Sequence, residues 1–267
     1  QTCALPIYKR TEFTPQFVKD AGAKGFMNKG KWSPYSDDSV FQKYYTKFVK
    51  ALAKDFNDPS KVEFIDGFGL GKWGEYHTMI YSTGDDTPKK AVFDWVTDIY
   101  SQAFDKVPVV INYHRWIGAG KDWVDDEHFA ADSEEMLEEA IKKGYSLRHD
   151  AFGMTTYYGS WERRFAKKYR NICPIIMEGG WIVKSHSYWQ DPRGYRKDSH
   201  EDVRRGEFDD SKEAHVNMMD FRFGDTEFWF KDAFDLVRRF LREGGYRLYP
   251  SEISLPLEVS KKTTPTI

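Results

Sequence analysis

Cysteine is nearly absent from this chain: two occur in 267 residues, Cys3 and Cys173. Two thiols cannot build a multi-bridge disulfide framework or a Cys-rich zinc site. An excess of either charge is also missing, since 40 Lys and Arg stand against 42 Asp and Glu. A formal net charge of −2 gives no electrostatic reason to seek nucleic acid or an anionic membrane, so neither is expected as a partner. No apolar run approaches the length of a membrane span. Internal repeats and low-complexity tracts are lacking as well. What the chain has in plenty is aromatic: 9 Trp, 16 Tyr and 20 Phe make 17% of it. Such rings fill cores, and they also stack on the flat apolar faces of pyranose sugars. Composition alone leaves both uses open.

The length suits one large α/β domain. Residues 1–7, QTCALPI, read like the translation of a sequencing-adapter oligonucleotide and are expected to be a scar outside the fold. Residues 8–250 are expected to form the catalytic domain. Residues 251–267 read as a C-terminal extension leading toward a further strand or domain.

From about residue 36 the chain alternates helix-like and strand-like segments, the pattern of βα units around a parallel sheet. Ser36, Asp37 and Asp38 open a helix whose apolar residues Val40, Phe41, Tyr44, Tyr45, Phe48, Val49 and Leu52 keep helical spacing. Strands are expected at 61–66, 107–113, 145–150, 171–177 and 246–249. Further helices are expected at 88–106, from a cap at Asp132 to Gly144, near 161–169, and at about 227–243. Residues 184–210 read as one elaborated polar loop. The basic pair Lys142-Lys143 and the run Trp161 to Arg164 read as ordinary solvated helix faces. The strand runs look covered on both sides, as parallel sheets are. Five such strands alone make an open sheet, and three preceding ones would close an eight-stranded barrel.

Polar residues gather where these strands end, which is where a barrel of this kind carries its active site. Glu75 and His77 follow the first strand, and Asn112, His114 and Arg115 the second. Arg148, His149 and Asp150 follow the third, and Glu178 ends the fourth. Glycoside cleavage needs two facing carboxyl groups, one protonated to help the leaving oxygen and one ionised to stabilise or trap the sugar. Glu178 comes directly after Pro174-Ile175-Ile176-Met177, a position costly for a carboxylate in a core and natural in a pocket; a capping or ion-paired role is the other reading. Glu75 stands in Trp73-Gly74-Glu75-Tyr76-His77, where glycines admit a ligand and Trp73 offers a stacking wall; a loop glutamate paired with a neighbouring base is the alternative. Arg148 and Asp150 also fit a simple ion pair beneath the site. His77, His114, His149 and Asp150 would suit a metal-dependent hydrolase. Trp116, Tyr157, Trp161, Trp181 and Trp189 serve either as sugar platforms or as core.

The run VEFIDGFGLGKWGEYH at 62–77, followed by PIIMEGGW, resembles the retaining glycoside hydrolases of clan A. That resemblance implies a (β/α)8 TIM barrel of which this chain carries strands four to eight, with strands one to three missing. It implies Glu75 as acid/base at the end of strand four and Glu178 as nucleophile at the end of strand seven. Counting strands gives the same three steps between them. Trp73, His77, Asn112, His114, Arg148, Asp150 and Trp181 are then expected to bind substrate. The substrate would be an oligo- or polysaccharide, with no cofactor and no metal, and the protein would be secreted or periplasmic. Gly74 stands where most of the clan has Asn, and Tyr246 to Tyr249 takes the place of strand eight. A barrel that binds sugar without cleaving it is the main alternative.

Overall fold

The computed structural model describes residues 14–120, 127–152, 157–179, 200–220, 226–244 and 252. A short helix α1 (Gln16–Asp20) and an antiparallel hairpin of β1 (Gly25–Asn28) and β2 (Lys31–Pro34) come first. Helix α2 (Ser39–Phe56) follows, its first turn capped by the Asp38 carboxylate, which accepts the Phe41 N–H at 2.9 Å.

The centre is one five-stranded sheet: β3 (Ile65–Asp66), β4 (Val109–Asn112), β5 (Ser146–Phe152), β6 (Ile175–Gly179) and β7 (Met218–Asp220). The strands lie in chain order and every neighbour is parallel. The connections are α3 (Lys89–Ala103), α4 (Glu127–Lys142), α5 (Ser160–Tyr169) and α6 (His200–Glu213); α7 (Thr226–Asp232) and α8 (Phe234–Glu243) come after β7. The sheet curls into a half-barrel, a shape compatible with part of a TIM-barrel-like fold.

Register explains how the two faces differ. Residues opposite each other in neighbouring strands share a face, and alternate residues change face. Val109, Ile111, Leu147, Ile175 and Met177 belong to one face and to the main core, together with Val92, Phe93 and Val96 of α3, Leu137 and Ala140 of α4 and Phe165 of α5. On the opposite face the rows run Asp66, Val110, Ser146; then Asn112, Arg148, Ile176, Met218; then Glu178, Asp220. The helix-covered face is thus apolar and the concave face is largely polar. Expecting apolar cover on both faces was therefore half right.

Several sequence expectations are corrected. The strand after β6 is Met218–Asp220, three residues with one charged end, too short to stand out as an apolar run. The expected strand at 246–249 lies outside the described residues, as do Cys3, Trp181 and Trp189. Residues 200–210, read as loop, belong to helix α6. Helix α4 already includes Glu127, so Asp132 is no cap; it sits inside the helix and pairs with Lys89. The single expected helix at 227–243 is two, parted at Ala233. Nor is the start of α5 a solvated face. Trp161 is buried and stacked on Phe165, and Glu162 is 0% exposed, accepting hydrogen bonds from the Gly159 and Arg115 backbone amides and from the Arg115 guanidinium. Among the described residues no helix is long and apolar enough to cross a membrane.

Leu147, fully buried between Ile111 and Ile175 on the helix-covered face, tests this layering. Leu147→Ala is expected to cost about 2–5 kcal/mol in urea unfolding. Exposed Asp220→Asn, on the concave face, should stay within about 0.5 kcal/mol. Comparable losses at both positions would contradict the layering.

Candidate functional site

The segment after β3 carries the first glutamate, and its backbone is unusually constrained. Phe68 and Tyr76 are buried ring against ring, centroids 4.2 Å apart, with Phe93 behind them. The Tyr76 amide donates to the Leu70 carbonyl and the Lys72 amide to that of His77, each at 2.9 Å, closing a compact loop around the 3-10 turn Lys72–Gly74. Trp73, Tyr76 and Thr78 all have left-handed φ, at 55°, 59° and 52°. Side chains rarely tolerate that region, and such outliers persist where the surroundings fix them, commonly at functional sites. Gly71, at φ 77°, also leaves no room: a Cβ there would meet the His77 carbonyl at 2.7 Å. The strain presents Glu75 and His77 inward and leaves Trp73 72% exposed at the rim.

Glu75 is held at both ends. Its backbone carbonyl accepts a hydrogen bond from His114 Nε2 at 2.7 Å, and its carboxyl oxygen lies 3.1 Å from His77 Nε2. Because His114 donates through Nε2 and accepts the Trp116 amide at Nδ1, 3.4 Å away, the neutral ring satisfies both nitrogens. Burial, and then the neighbouring His77, push the His114 pKa down to about 3. The Glu75 carboxyl moves the other way. Burial raises it to about 7, the hydrogen bond from His77 opposes the rise, and the Asp150 carboxylate adds to it.

Asp150 comes from β5, where a bulge between His149 and Phe152 sets two residues against one on β6. Its carboxyl group is within hydrogen-bonding reach of Glu75. Burial opposes ionisation of Asp150, yet His149 Nδ1 at 3.6 Å, the Glu75 hydrogen bond and Arg148 hold it below the usual carboxylate range.

Trp73, Glu75, His77, Asn112, His114, Trp116, His149, Asp150 and Tyr157 line one small pocket of about 20 Å³. Asn112, 4% exposed on β4, has its amide oxygen buried there without a hydrogen-bond partner. A buried acceptor of that kind is costly unless a ligand or water supplies a donor. Glu178 is not among the lining residues. It joins the site through Arg148, whose guanidinium pairs with Glu178 on β6 and, at 3.4 Å, with Asp66 on β3, and lies within electrostatic reach of Glu75 and Asp150.

The structure therefore brings together Trp73, Glu75, His77, Asn112, His114 and Asp150 around one pocket, with Arg148 and Glu178 linked to it; Trp181 lies outside the described residues. Arg148 bridges Asp66 and Glu178, so its expected pairing with Asp150 is not its principal contact. Asp66 was not anticipated, and in a strand that also carries Lys61 and Glu63 its charge did not stand out. Among the described residues no three His, Cys, Asp or Glu side chains are grouped to hold a metal ion, and both imidazoles nearest Glu75 spend their Nε2 atoms on it. Comparison with protein-family models, curated proteins and solved structures finds no match.

The neutrality of His114 has a measurable sign. Its folded pKa is depressed to about 3 from the ordinary 6.5, so between those values the unfolded chain binds the extra proton. Stability should fall as pH drops below 6.5 toward 3, and that fall should be shallower in His114→Asn. Urea unfolding at a series of pH values measures it; an identical slope in the variant would show His114 to be protonated in the fold.

Proposed function

We propose that this chain is the strand-four-to-eight part of a (β/α)8 barrel that hydrolyses glycosidic bonds of β-linked oligo- or polysaccharides with retention of configuration. On this reading β3 to β7 are barrel strands four to eight, and Met218–Asp220 takes the eighth place. Strands one to three would come from sequence outside this chain. The observation that carries the reading is the opposite treatment of two glutamates three strands apart. Burial and a carboxylate neighbour favour the protonated form of Glu75, whereas a guanidinium partner favours the ionised form of Glu178.

The chemistry follows from that asymmetry. The Glu178 carboxylate attacks the anomeric carbon as the bond to the departing oxygen breaks, and that oxygen takes the Glu75 proton. Water then attacks the same carbon and gives its proton to Glu75, and the sugar–Glu178 ester opens. Asn112 offers its buried amide oxygen to a sugar hydroxyl, and Trp73 offers an exposed ring at the rim for stacking.

Assays on the complete barrel should use polysaccharides and aryl glycosides. Glu178→Gln is expected to abolish turnover on both. Glu75→Gln should lose about 10²–10⁴-fold on substrates whose leaving group needs a proton, and much less on aryl glycosides that leave unaided. Sugar binding with no turnover in the unmodified protein would instead identify a binding barrel. Full cleavage by Glu178→Gln would sink the assignment.

A further inference from the structure

Glu75 and Asp150 meet on the wall of the pocket that both line, close enough for their carboxyl groups to share a hydrogen bond. Two carboxyl groups at that range resist ionising together, so the pair keeps one proton under conditions where separated ones would keep none. Their surroundings decide which of them carries it. On the Asp150 side stand His149 Nδ1, 3.6 Å away, and the Arg148 guanidinium, both from β5 itself. Glu75 receives His77 Nε2 at 3.1 Å from its own loop, while His114 from the β4 loop is spent on its backbone carbonyl. Asp66 on β3 adds a further carboxylate near Asp150, and Glu178 on β6 shares Arg148 with both. Burial pushes the His149 pKa down, so the cation on the Asp150 side is Arg148, whose charge acts on Asp150 ahead of Glu75 and leaves the proton on Glu75. The β5 bulge is the backbone feature found where Asp150 leaves the sheet register, and bulges commonly re-aim a side chain beside a site.

We infer that Asp150 is a positioning residue: its carboxylate accepts the Glu75 O–H, holds that side chain in the pocket and keeps it protonated until the departing oxygen takes the proton. The use of this proton rests on the glycosidase reading; the pairing itself does not. The proton leaves Glu75 for the leaving oxygen and returns to Glu75 from water, and Asp150 stays ionised throughout. While Glu75 is ionised, the neighbouring Asp150 charge raises its basicity and favours the return step.

The test follows the carboxyl carbons of Glu75 and Asp150 by NMR from acid to mildly alkaline pH. The Glu75 resonance should titrate near neutrality, and the Asp150 resonance should sense that step in addition to its own ionisation below the usual carboxylate range. In Asp150→Asn the Glu75 midpoint should fall by about one pH unit or more, whereas Asp150→Glu, which keeps the charge, should retain the raised midpoint. A Glu75 midpoint that stays put in Asp150→Asn would overturn the inference. Should that variant not fold, the unmodified protein still decides, because an Asp150 carbon that does not sense the Glu75 step would overturn it equally. With an active barrel, the alkaline limb of kcat/KM should move to lower pH in Asp150→Asn and stay in place in Asp150→Glu. An unaltered activity in Glu75→Gln alongside the shared NMR step would reject the glycosidase reading and leave the pair standing.

Discussion

The concave face of the sheet depends on one guanidinium. Arg148 reaches Asp66 on one side and Glu178 on the other, and Glu75 and Asp150 feel its charge as well. Four carboxyl groups around a single permanent cation cannot all be ionised at little cost. Arg148 is engaged by Asp66 and Glu178, so the group left with the weakest support is Glu75. The raised pKa of Glu75 and the guanidinium partner of Glu178 are therefore two consequences of how one cation is shared. Ion pairs of this partly buried kind add little net stability, but removing one member leaves the others exposed to each other at a cost of several kcal/mol. They shape the site more than they hold the fold.

The fold rests on the opposite face, and the strands that build it were legible. Val109 to Ile111, Ser146-Leu147 and Ile175 to Met177 are runs that a parallel strand covered by helices requires, and they fall where the sequence places them. Helices α2 and α3 were readable for the same reason, since apolar residues on one side of each pack on the sheet or on one another. Where burial is polar, the pattern fails. Helix α6 turns Glu207, Phe208, Asp210 and Ser211 inward, so a segment that looks like a solvated loop by composition is a buried helix face. Arg163 neutralises Asp210 at 3.0 Å, a long-range contact with no periodicity to announce it. Strands β1, β2 and β7 were missed because four or three partly exposed residues carry too little alternation to register.

At the site, residue types were readable and their partners were not. Glycines around Trp73 and Glu75 were read as room for a ligand to approach; Gly69, Gly71 and Gly74 also take left-handed φ. Left-handed φ at Trp73, Tyr76 and Thr78 has no compositional sign, because nothing about those residues asks for it. Likewise, alternation along β5 puts Arg148 and Asp150 on one face, from which a pair between them is the natural guess. The bulge after His149 breaks the alternation that this guess assumes.

Two backbone irregularities thus converge on one proton. A strained loop after β3 presents Glu75, and a bulge at the end of β5 accompanies the approach of Asp150 to it. Regular strands would fix both side chains by period alone, and would align carboxylates in rows where like charges lie directly opposite, as Glu178 and Asp220 do on β6 and β7. Departing from regularity lets acidic groups from different strands approach each other obliquely, within reach of a shared hydrogen bond. Strain of this kind is tolerable only on a rigid base, which the apolar core beneath β4, β5 and β6 supplies. The division of labour between the two faces is what allows a costly cluster of acids to exist at all: one face holds the sheet, and the other is left free to carry charge.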